Sequence, residues 1–258
     1  MTRLCANLSM LFREVDFPDR LAAAARAGFK AVECHFPYDY DRELLAELLH
    51  EHGLTQALFN LPAGDWGAGE RGIACHPDRI GEFQDGVGLA IEYARALGCS
   101  RVNCLAGIAP SGADPYLLRS TLLDNLGYAA GKLAEADIGL LLEPINTRDV
   151  PGFQVCRTRQ AMEIMDAVKS DNLSLQYDIY HMQIMEGDLA CTIGNLIDRI
   201  GHIQLADNPG RHEPGTGEIN FRFLLAHIDS LGYEGWIGCE YSPAGETGAG
   251  LEWAGPYL

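Results

Sequence analysis

The feature that most constrains the fold is an apolar run that stops abruptly at a carboxylate. Residues 138–142 are apolar or glycine, and Glu143 and Pro144 follow them directly. Such a run is typical of a strand buried on both faces. It must end here, because proline cannot extend a hydrogen-bonded ladder. The pattern therefore predicts a carboxylate at the end of a core strand.

The same construction recurs three times, with Asp178, Gln204 and Glu240 at or near the ends of later runs. Short runs of β type alternate with helical runs along the chain, which is the pattern of repeated βα units around a parallel sheet. A length of 258 residues also suits one barrel of such units. We therefore predict an α/β fold, a single (β/α)8 TIM barrel domain spanning residues 1–258. The predicted strands are 4–9, 30–35, 55–60, 101–105, 138–143, 173–178, 202–205 and 236–240.

Every predicted strand carries a polar residue near its carboxyl end, which is where active sites form in such barrels. Asparagines at strand ends also commonly satisfy backbone groups of loops, so a structural role stays open for three of these residues. Glu33 is equally consistent with a buried buttress. The eight residues are Asn7, Glu33, Asn60, Asn103, Glu143, Asp178, Gln204 and Glu240.

Three carboxylates facing one mouth repel one another unless a cation or protons compensate their charge. Together with an amide oxygen they form an all-oxygen set, which suits Mg²⁺ or Mn²⁺ better than zinc. We predict that Glu143, Asp178, Gln204 and Glu240 bind this divalent ion. The two glutamates then provide a general acid and base that move a proton between adjacent carbons while the ion stabilises an enediolate. This is the chemistry of an isomerase.

Residues of the loops are predicted to contact the oxygens of a substrate. His181 follows Asp178 by three residues, and Arg211 lies in the turn-rich segment 208–217. Arg71 lies in the long third loop, residues 61–80, with glycines nearby; a loop of this length in a compact domain is usually functional. Asn7 and Asn60 complete the predicted contacts. The competing interpretations are a surface histidine for His181 and a structural ion pair of Arg71 with Glu70 or Asp65.

The amino-acid composition limits the kinds of molecule that this protein can bind. The net charge is −17, from 19 Lys and Arg against 36 Asp and Glu, so the basic footprint that nucleic acids and anionic membranes require is missing. We expect a small-molecule partner, and the sequence leaves a homo-oligomer open. The eight cysteines show no C-x-x-C spacing and several interrupt apolar runs, which favours a reducing cytoplasm. No run approaches the ~18–20 apolar residues of a membrane span.

Seven segments form a distinctive set: 6–10, 36–40, 60–66, 68–74, 143–146, 177–182 and 213–220. Together they resemble the hydroxypyruvate isomerase family of the xylose isomerase-like barrel superfamily. The resemblance implies a TIM barrel that interconverts hydroxypyruvate and tartronate semialdehyde, with Glu143 and Glu240 as the proton-transferring pair. Related oxo-tetronate isomerases share the barrel and ligand set but differ in the third loop, and abasic-DNA endonucleases of the superfamily carry a histidine-rich multi-metal site. An isomerase or epimerase of a longer sugar acid, and a metal-binding barrel without turnover, remain alternatives.

Overall fold

Eight parallel strands close into a barrel in the order of the chain, in a computed structural model that describes residues 2–258. Each strand pairs with its sequence neighbours, and β1 pairs with β8 to close the ring. This confirms the predicted (β/α)8 barrel. The strands are β1 Leu4–Asn7, β2 Ala31–Glu33, β3 Thr55–Asn60, β4 Arg101–Cys104, β5 Gly139–Leu142, β6 Leu173–Asp178, β7 Ile200–Leu205 and β8 Ile237–Cys239.

Helices connect the strands and bury their apolar faces against them. The starts and ends follow local rules: Pro18 lies in the first turn of α1, the Asp41 carboxylate caps α2 by accepting from Leu44 N at 2.9 Å, and Gly98 ends α3 at φ +62°. The helices are α1 Phe17–Arg26, α2 Arg42–Glu51, α3 Ile80–Leu97, α4 Pro115–Ala134, α5 Thr158–Val168, α6 Ile179–Met185, α7 Leu189–Leu196 and α8 Phe221–Ser230.

Some element boundaries differ from the sequence prediction. The strands ending near Glu143 and Glu240 stop one residue earlier, so both carboxylates lie in the first loop position instead of in the ladder. Helix α6 was not predicted, because seven residues are too few to show helical periodicity; it begins where the Asp178 carboxylate accepts from the backbone of the following turn. Helix α7 is followed by a 3₁₀ turn, Ile197–Arg199, and a further 3₁₀ segment, Gly248–Tyr257, ends the chain.

The main apolar core lies between the barrel and its helices, and the inside of the barrel is unusually polar. Leu140 and Leu142 of β5 belong to the main core, whereas Asn7, Glu33 and Gln204 are buried polar residues. Branched apolar residues usually fill this interior in barrels of this kind. None of the helices within residues 2–258 combines the length and the hydropathy that a membrane-spanning helix needs.

Candidate active site

Three carboxylates meet at the mouth of the barrel. Glu143 follows β5, Asp178 is the last residue of β6, and Glu240 follows β8. All three are buried, and one oxygen of each lies within 4.8 Å of the others and of a ring nitrogen of His181. The closed barrel therefore brings carboxylates from distant parts of the sequence into one small volume.

Two neighbours hold Glu240 as a carboxylate. Arg211 donates from Nη2 to Oε2 at 2.7 Å, and His35 Nε2 lies 2.7 Å from Oε1. Burial acts to raise the pKa of Glu240, but the charge of Arg211 and the contact with His35 outweigh it, so the pKa lies below its ordinary value. Glu240 is therefore ionised at neutral pH and able to accept a proton.

The pKa values of Glu143 and Asp178 are shifted in the opposite direction, upwards. Burial, together with repulsion by Glu240, raises the pKa of Asp178 to about 7 and that of Glu143 well above its ordinary value. The Asp178 Oδ1 atom accepts from the backbone N–H groups of Tyr180 and His181, at 2.7 and 3.2 Å, whereas Oδ2 is buried and has no hydrogen-bond partner in the part of the chain that the structure describes. A cation between these groups would relieve the repulsion and use the free oxygen, so the residues fit a divalent ion.

His181 is buried beside these carboxylates. Its Nε2 atom lies 3.7 Å from Asp178 Oδ2 and 3.8 Å from Glu143 Oε1, and its Nδ1 atom lies 2.6 Å from Asn146 Nδ2. Burial, followed by the charge of Arg211, lowers the pKa of His181 to about 3. The imidazole is therefore neutral across the physiological range.

Gln204, the fourth predicted ligand, is buried on β7 beside Asp178, its partner in the β6–β7 register. Its Nε2 atom donates to Glu33 Oε1 at 2.7 Å, and its Oε1 atom accepts from Gln176 Nε2 at 2.6 Å. A carbonyl oxygen has two lone pairs, so one remains for an ion. The orientation of this amide is set from below by Glu33.

Glu33 is a buttress inside the barrel, one of the alternatives that the sequence left open. Its carboxylate accepts from Asn7 Nδ2 at 2.9 Å and Gln204 Nε2 at 2.7 Å, and it contacts His202 Nε2 at 2.7 Å and Cys5 Sγ at 3.4 Å. Cys5, Glu33 and His202 are close enough to hold a metal ion. The amide donors already directed at the carboxylate would oppose a cation there, so we assign this group to packing of the barrel interior.

The three asparagines predicted at strand ends form hydrogen bonds with other side chains of the site. Asn103 donates to Glu143 Oε2 at 2.9 Å and to Asn60 Oδ1 at 3.1 Å. Asn7 donates to Glu33, and its Nδ2 atom lies 3.5 Å from Glu240 Oε1. Asn60 also lines the cavity above the carboxylates. These residues therefore orient the two glutamates from strands β1 and β4.

A tightly bonded loop presents Arg211 to Glu240. Asp207 anchors this loop, because its carboxylate accepts from the backbone N–H groups of Gly215, Gly217 and Ile219 at 2.8–3.1 Å. Arg211 has φ +55°, and its guanidinium lies 5.1 Å from the centre of the Tyr180 ring. The turn-rich segment thus forms a rigid support for one cation.

Arg71 lies in the third loop, folded over Trp66. Its guanidinium carbon lies 4.0 Å from the centre of the Trp66 ring, and Nη1 donates to the carbonyl oxygens of Trp66 and Glu70 at 3.1 and 2.7 Å. The Glu70 carboxylate binds Arg79 instead. The structure therefore shows neither an Arg71–Glu70 nor an Arg71–Asp65 ion pair among the residues it describes.

A cavity of about 260 Å³ opens above the carboxylates and collects most of the predicted site. It contains Glu143, Glu240, His181, Arg211, Arg71 and Asn60, whereas Asp178, Gln204 and Asn7 lie beneath it or beside it. Sequence reasoning missed His35 and Asp149. His35 stands two residues after Glu33, and side chains two residues apart on a strand point to the same face. This spacing could have indicated that His35 lies on the same side of the strand as Glu33. The complete lining is His35, Asn60, Trp66, Arg71, Leu105, Glu143, Ile145, Asp149, Val150, His181, Arg211 and Glu240.

A larger cavity, of about 570 Å³, lies between α8 and the C-terminal 3₁₀ segment. Its lining is mostly apolar and includes Phe221, Leu225 and Trp253. Acid–base chemistry needs converging polar groups, so the smaller cavity is the candidate active site.

Known proteins resemble this chain over its full length. Residues 21–257 match the family described as xylose isomerase-like TIM barrel. The chain is 55% identical to hydroxypyruvate isomerase of Escherichia coli K12, covering 100% of both chains, and 49% identical to 2-oxo-tetronate isomerase of Cupriavidus necator, covering 100% of this chain and 99% of that one.

A solved structure has the same architecture. The crystal structure of a Brucella melitensis protein named AP endonuclease, family 2, superposes with a TM-score of 0.97 at 46% identity, covering 100% of this chain and 99% of that one. The family match and these full-length relatives agree with the closed barrel. The chain therefore belongs to the xylose isomerase-like TIM barrel family.

Proposed function

We propose that this protein is a hydroxypyruvate isomerase, which interconverts hydroxypyruvate and tartronate semialdehyde (2-hydroxy-3-oxopropanoate). The observation that carries the proposal is a pair of buried glutamates, Glu143 and Glu240, lining one small cavity together with two arginines, Arg71 and Arg211. The E. coli relative at 55% identity, named as this enzyme, supports the choice of substrate. An isomerase or epimerase of a longer sugar acid is the alternative, favoured by the C. necator relative.

The reaction requires one carbon-bound proton to leave and another to arrive. In hydroxypyruvate, a base removes a proton from C3, the electrons form an enediolate, and an acid returns a proton to C2; a hydroxyl proton moves between the two oxygens. Glu143 and Glu240 follow different strands, β5 and β8, and line the same cavity, so one accepts the proton while the other donates. Both act as acid in one direction and as base in the other.

We assign Mg²⁺ or Mn²⁺ to the oxygen set of Glu143, Asp178, Gln204 and Glu240. The partnerless Asp178 Oδ2 atom and the close approach of the three carboxylates support this assignment. When bound, the ion would neutralise the negative charge that develops on the substrate oxygens. Asn103 and Asn7 keep the two glutamates oriented, and Glu33 holds the Gln204 amide.

Arg71 is proposed to bind the substrate carboxylate. In a protein with a net charge of −17 a small anion needs a local cation, and a guanidinium can hold a carboxylate through two parallel hydrogen bonds. Arg211 is already paired with Glu240, which leaves Arg71 as the cavity-lining arginine without a carboxylate partner among residues 2–258. His181 and Asn60 contact the remaining substrate oxygens, and Asn7 acts beside Glu240.

The other features favour a small-molecule enzyme. The B. melitensis relative is named as an endonuclease, but binding to a phosphate backbone draws on clustered positive charge, and this chain carries 36 acidic against 19 basic residues. We also propose a cytoplasmic location. Six of the eight cysteines are buried as small hydrophobic residues, which suits a reducing compartment.

Hydrogen exchange in deuterated water tests the proposal. The wild type should convert hydroxypyruvate and label substrate carbon, whereas Glu143→Gln and Glu240→Gln should each lose at least the ~10²–10⁴-fold typical of acid–base catalysis. Glu43→Gln, on the exposed face of α2, is the matched control and should behave as wild type. A panel of 2-oxo-tetronates in the same assay tests whether the protein prefers these longer sugar acids to hydroxypyruvate. Absence of turnover and labelling with every substrate would refute an isomerase, and retained exchange in both variants would reassign the base.

A further inference from the structure

Asn146, in the loop after β5, contacts the side of His181 that faces away from the carboxylates. Its Nδ2 atom lies 2.6 Å from His181 Nδ1, and both side chains are buried, Asn146 completely. The other ring nitrogen, Nε2, is the one directed at Asp178 and Glu143. The contact with Asn146 therefore decides which nitrogen carries the hydrogen.

The orientation of the Asn146 amide follows from its own hydrogen bonds. Its Oδ1 atom accepts from the backbone N–H of Asp149 at 2.7 Å, and only the oxygen of an amide can accept. The NH₂ group must then be the group that donates to Asp149 Oδ2, at 3.1 Å, and that faces His181. If the amide oxygen and nitrogen were exchanged, the NH₂ group of Asn146 would face the backbone N–H of Asp149, and two donors would meet.

An amide NH₂ only donates, so His181 Nδ1 must accept and carries no hydrogen. A neutral imidazole with a bare Nδ1 bears its hydrogen on Nε2. The distances of 3.7 and 3.8 Å to the Asp178 and Glu143 oxygens are too long for hydrogen bonds, so this N–H has no acceptor among residues 2–258, and His181 lines the cavity. A protonated nitrogen has no lone pair for a metal ion, which places His181 outside the ligand set despite its proximity.

We propose that Asn146 is a positioning residue that fixes His181 as the Nε2–H tautomer, ready to donate a hydrogen bond to the substrate oxygen on which negative charge develops. The assignment of that oxygen rests on the proposed isomerase function; the tautomer itself does not. A preoriented neutral donor at a developing oxyanion acts mainly on kcat, because its interaction strengthens in the transition state.

Nitrogen-15 NMR of histidine-labelled protein tests the tautomer directly, with the His181 signals assigned by their loss in His181→Gln. The wild type should show hydrogen on Nε2 and none on Nδ1. Asn146→Asp replaces the donor with a carboxylate that accepts, so the Nδ1–H form should replace the Nε2–H form and kcat should fall about 10²-fold, the loss typical of one oxyanion donor, with a smaller change in KM.

Two further variants separate positioning from a general structural role. Asn146→Ala removes the donor without supplying an acceptor, so His181 should populate both tautomers and kcat should fall less than in Asn146→Asp. Asn125→Asp makes the same exchange at a buried amide of α4 that donates to Ala74 O, outside the cavity, and should leave the His181 tautomer unchanged.

The outcomes distinguish this proposal from the proposed function. Hydrogen on Nδ1 in the wild type, or equal losses of kcat in Asn146→Asp and Asn146→Ala, would overturn the role of Asn146. The wild type could show the Nε2–H tautomer and Asn146→Asp the Nδ1–H tautomer, although the protein does not turn over hydroxypyruvate. This result would support the role of Asn146 and refute hydroxypyruvate as the substrate.

Discussion

Gly238 in β8 is the position where adding one methyl group should test the polar interior of the barrel. A Cβ atom at this residue would lie 2.3 and 2.4 Å from the two carboxylate oxygens of Glu33. No real Cβ contact is this short, so Gly238→Ala must displace the Glu33 carboxylate. The end of a glutamate side chain normally moves at little cost, but this one is 1% exposed and held by four other residues, Cys5, Asn7, His202 and Gln204.

The expected loss of stability follows from those contacts. Overpacking a well-filled interior costs about 1–3 kcal/mol, and each hydrogen bond to a charged group contributes about 1.5–3 kcal/mol. Displacement that breaks one such bond and strains its neighbours should therefore cost about 3–5 kcal/mol. For a chain of this length each kcal/mol shifts the melting temperature by about 2–4 °C, so the variant should melt about 6–20 °C lower.

Thermal unfolding followed by circular dichroism measures this effect, with Gly127→Ala as the matched control. Gly127 lies in α4, and a Cβ atom there would meet nothing within 4 Å. Alanine is favoured over glycine in a helix by about 1 kcal/mol, so the control should melt slightly higher than the wild type. An unchanged melting temperature in Gly238→Ala would refute the view that Glu33 is rigidly held and that it orients Gln204.

Three further predictions concern the cavity. Mg²⁺ or Mn²⁺ at about 100 times its dissociation constant should stabilise the wild type by about 2.7 kcal/mol but not Asp178→Ala; an equal melting shift in both would place the ion elsewhere. In the metal-free protein the raised pKa of Asp178, about 7, means that the folded state binds a proton that the unfolded state releases, so this residue's contribution to stability should be lost as pH rises from about 4 through 7. Melting temperatures between about pH 5 and 8 should show this fall, which should be smaller in Asp178→Asn. Arg71→Met should lower kcat/KM for hydroxypyruvate by about 2–4 kcal/mol in transition-state free energy, and Arg71→Lys should not fully restore it; a lower melting temperature with normal kinetics of the folded fraction would make Arg71 structural.

Much of the architecture could be predicted from local patterns. The apolar run before Glu143 indicates a buried strand whatever its partners are, and repeated alternation with helical runs leaves few folds open. Because the carboxyl ends of parallel strands share one edge, the same pattern predicts that Glu143, Asp178 and Glu240 meet. The closed barrel and their separation of less than 4.8 Å agree with this expectation.

The partners of these side chains could not be predicted. His35 contacts Glu240 across 205 positions of the sequence, and His202 contacts Glu33 across 169. No local propensity reports such distances, because they depend on the register and closure of the whole barrel. Glu70 binds Arg79, nine positions along the chain, instead of the neighbouring Arg71, because the folded path of the third loop sets which side chains meet.

The sequence by itself determined the strands, their order and the kind of side chain at each strand end, since all three follow from apolar periodicity and from residues that terminate an element. Only the tertiary structure decided the electrostatic state of each group. Arg211 and His35 lower the pKa of Glu240, while Glu143, a similar carboxylate at a similar strand end, has its pKa raised by burial and by Glu240. The physical reason is that a pKa depends on which charges and donors surround a group in space, and folding brings those neighbours from every part of the chain.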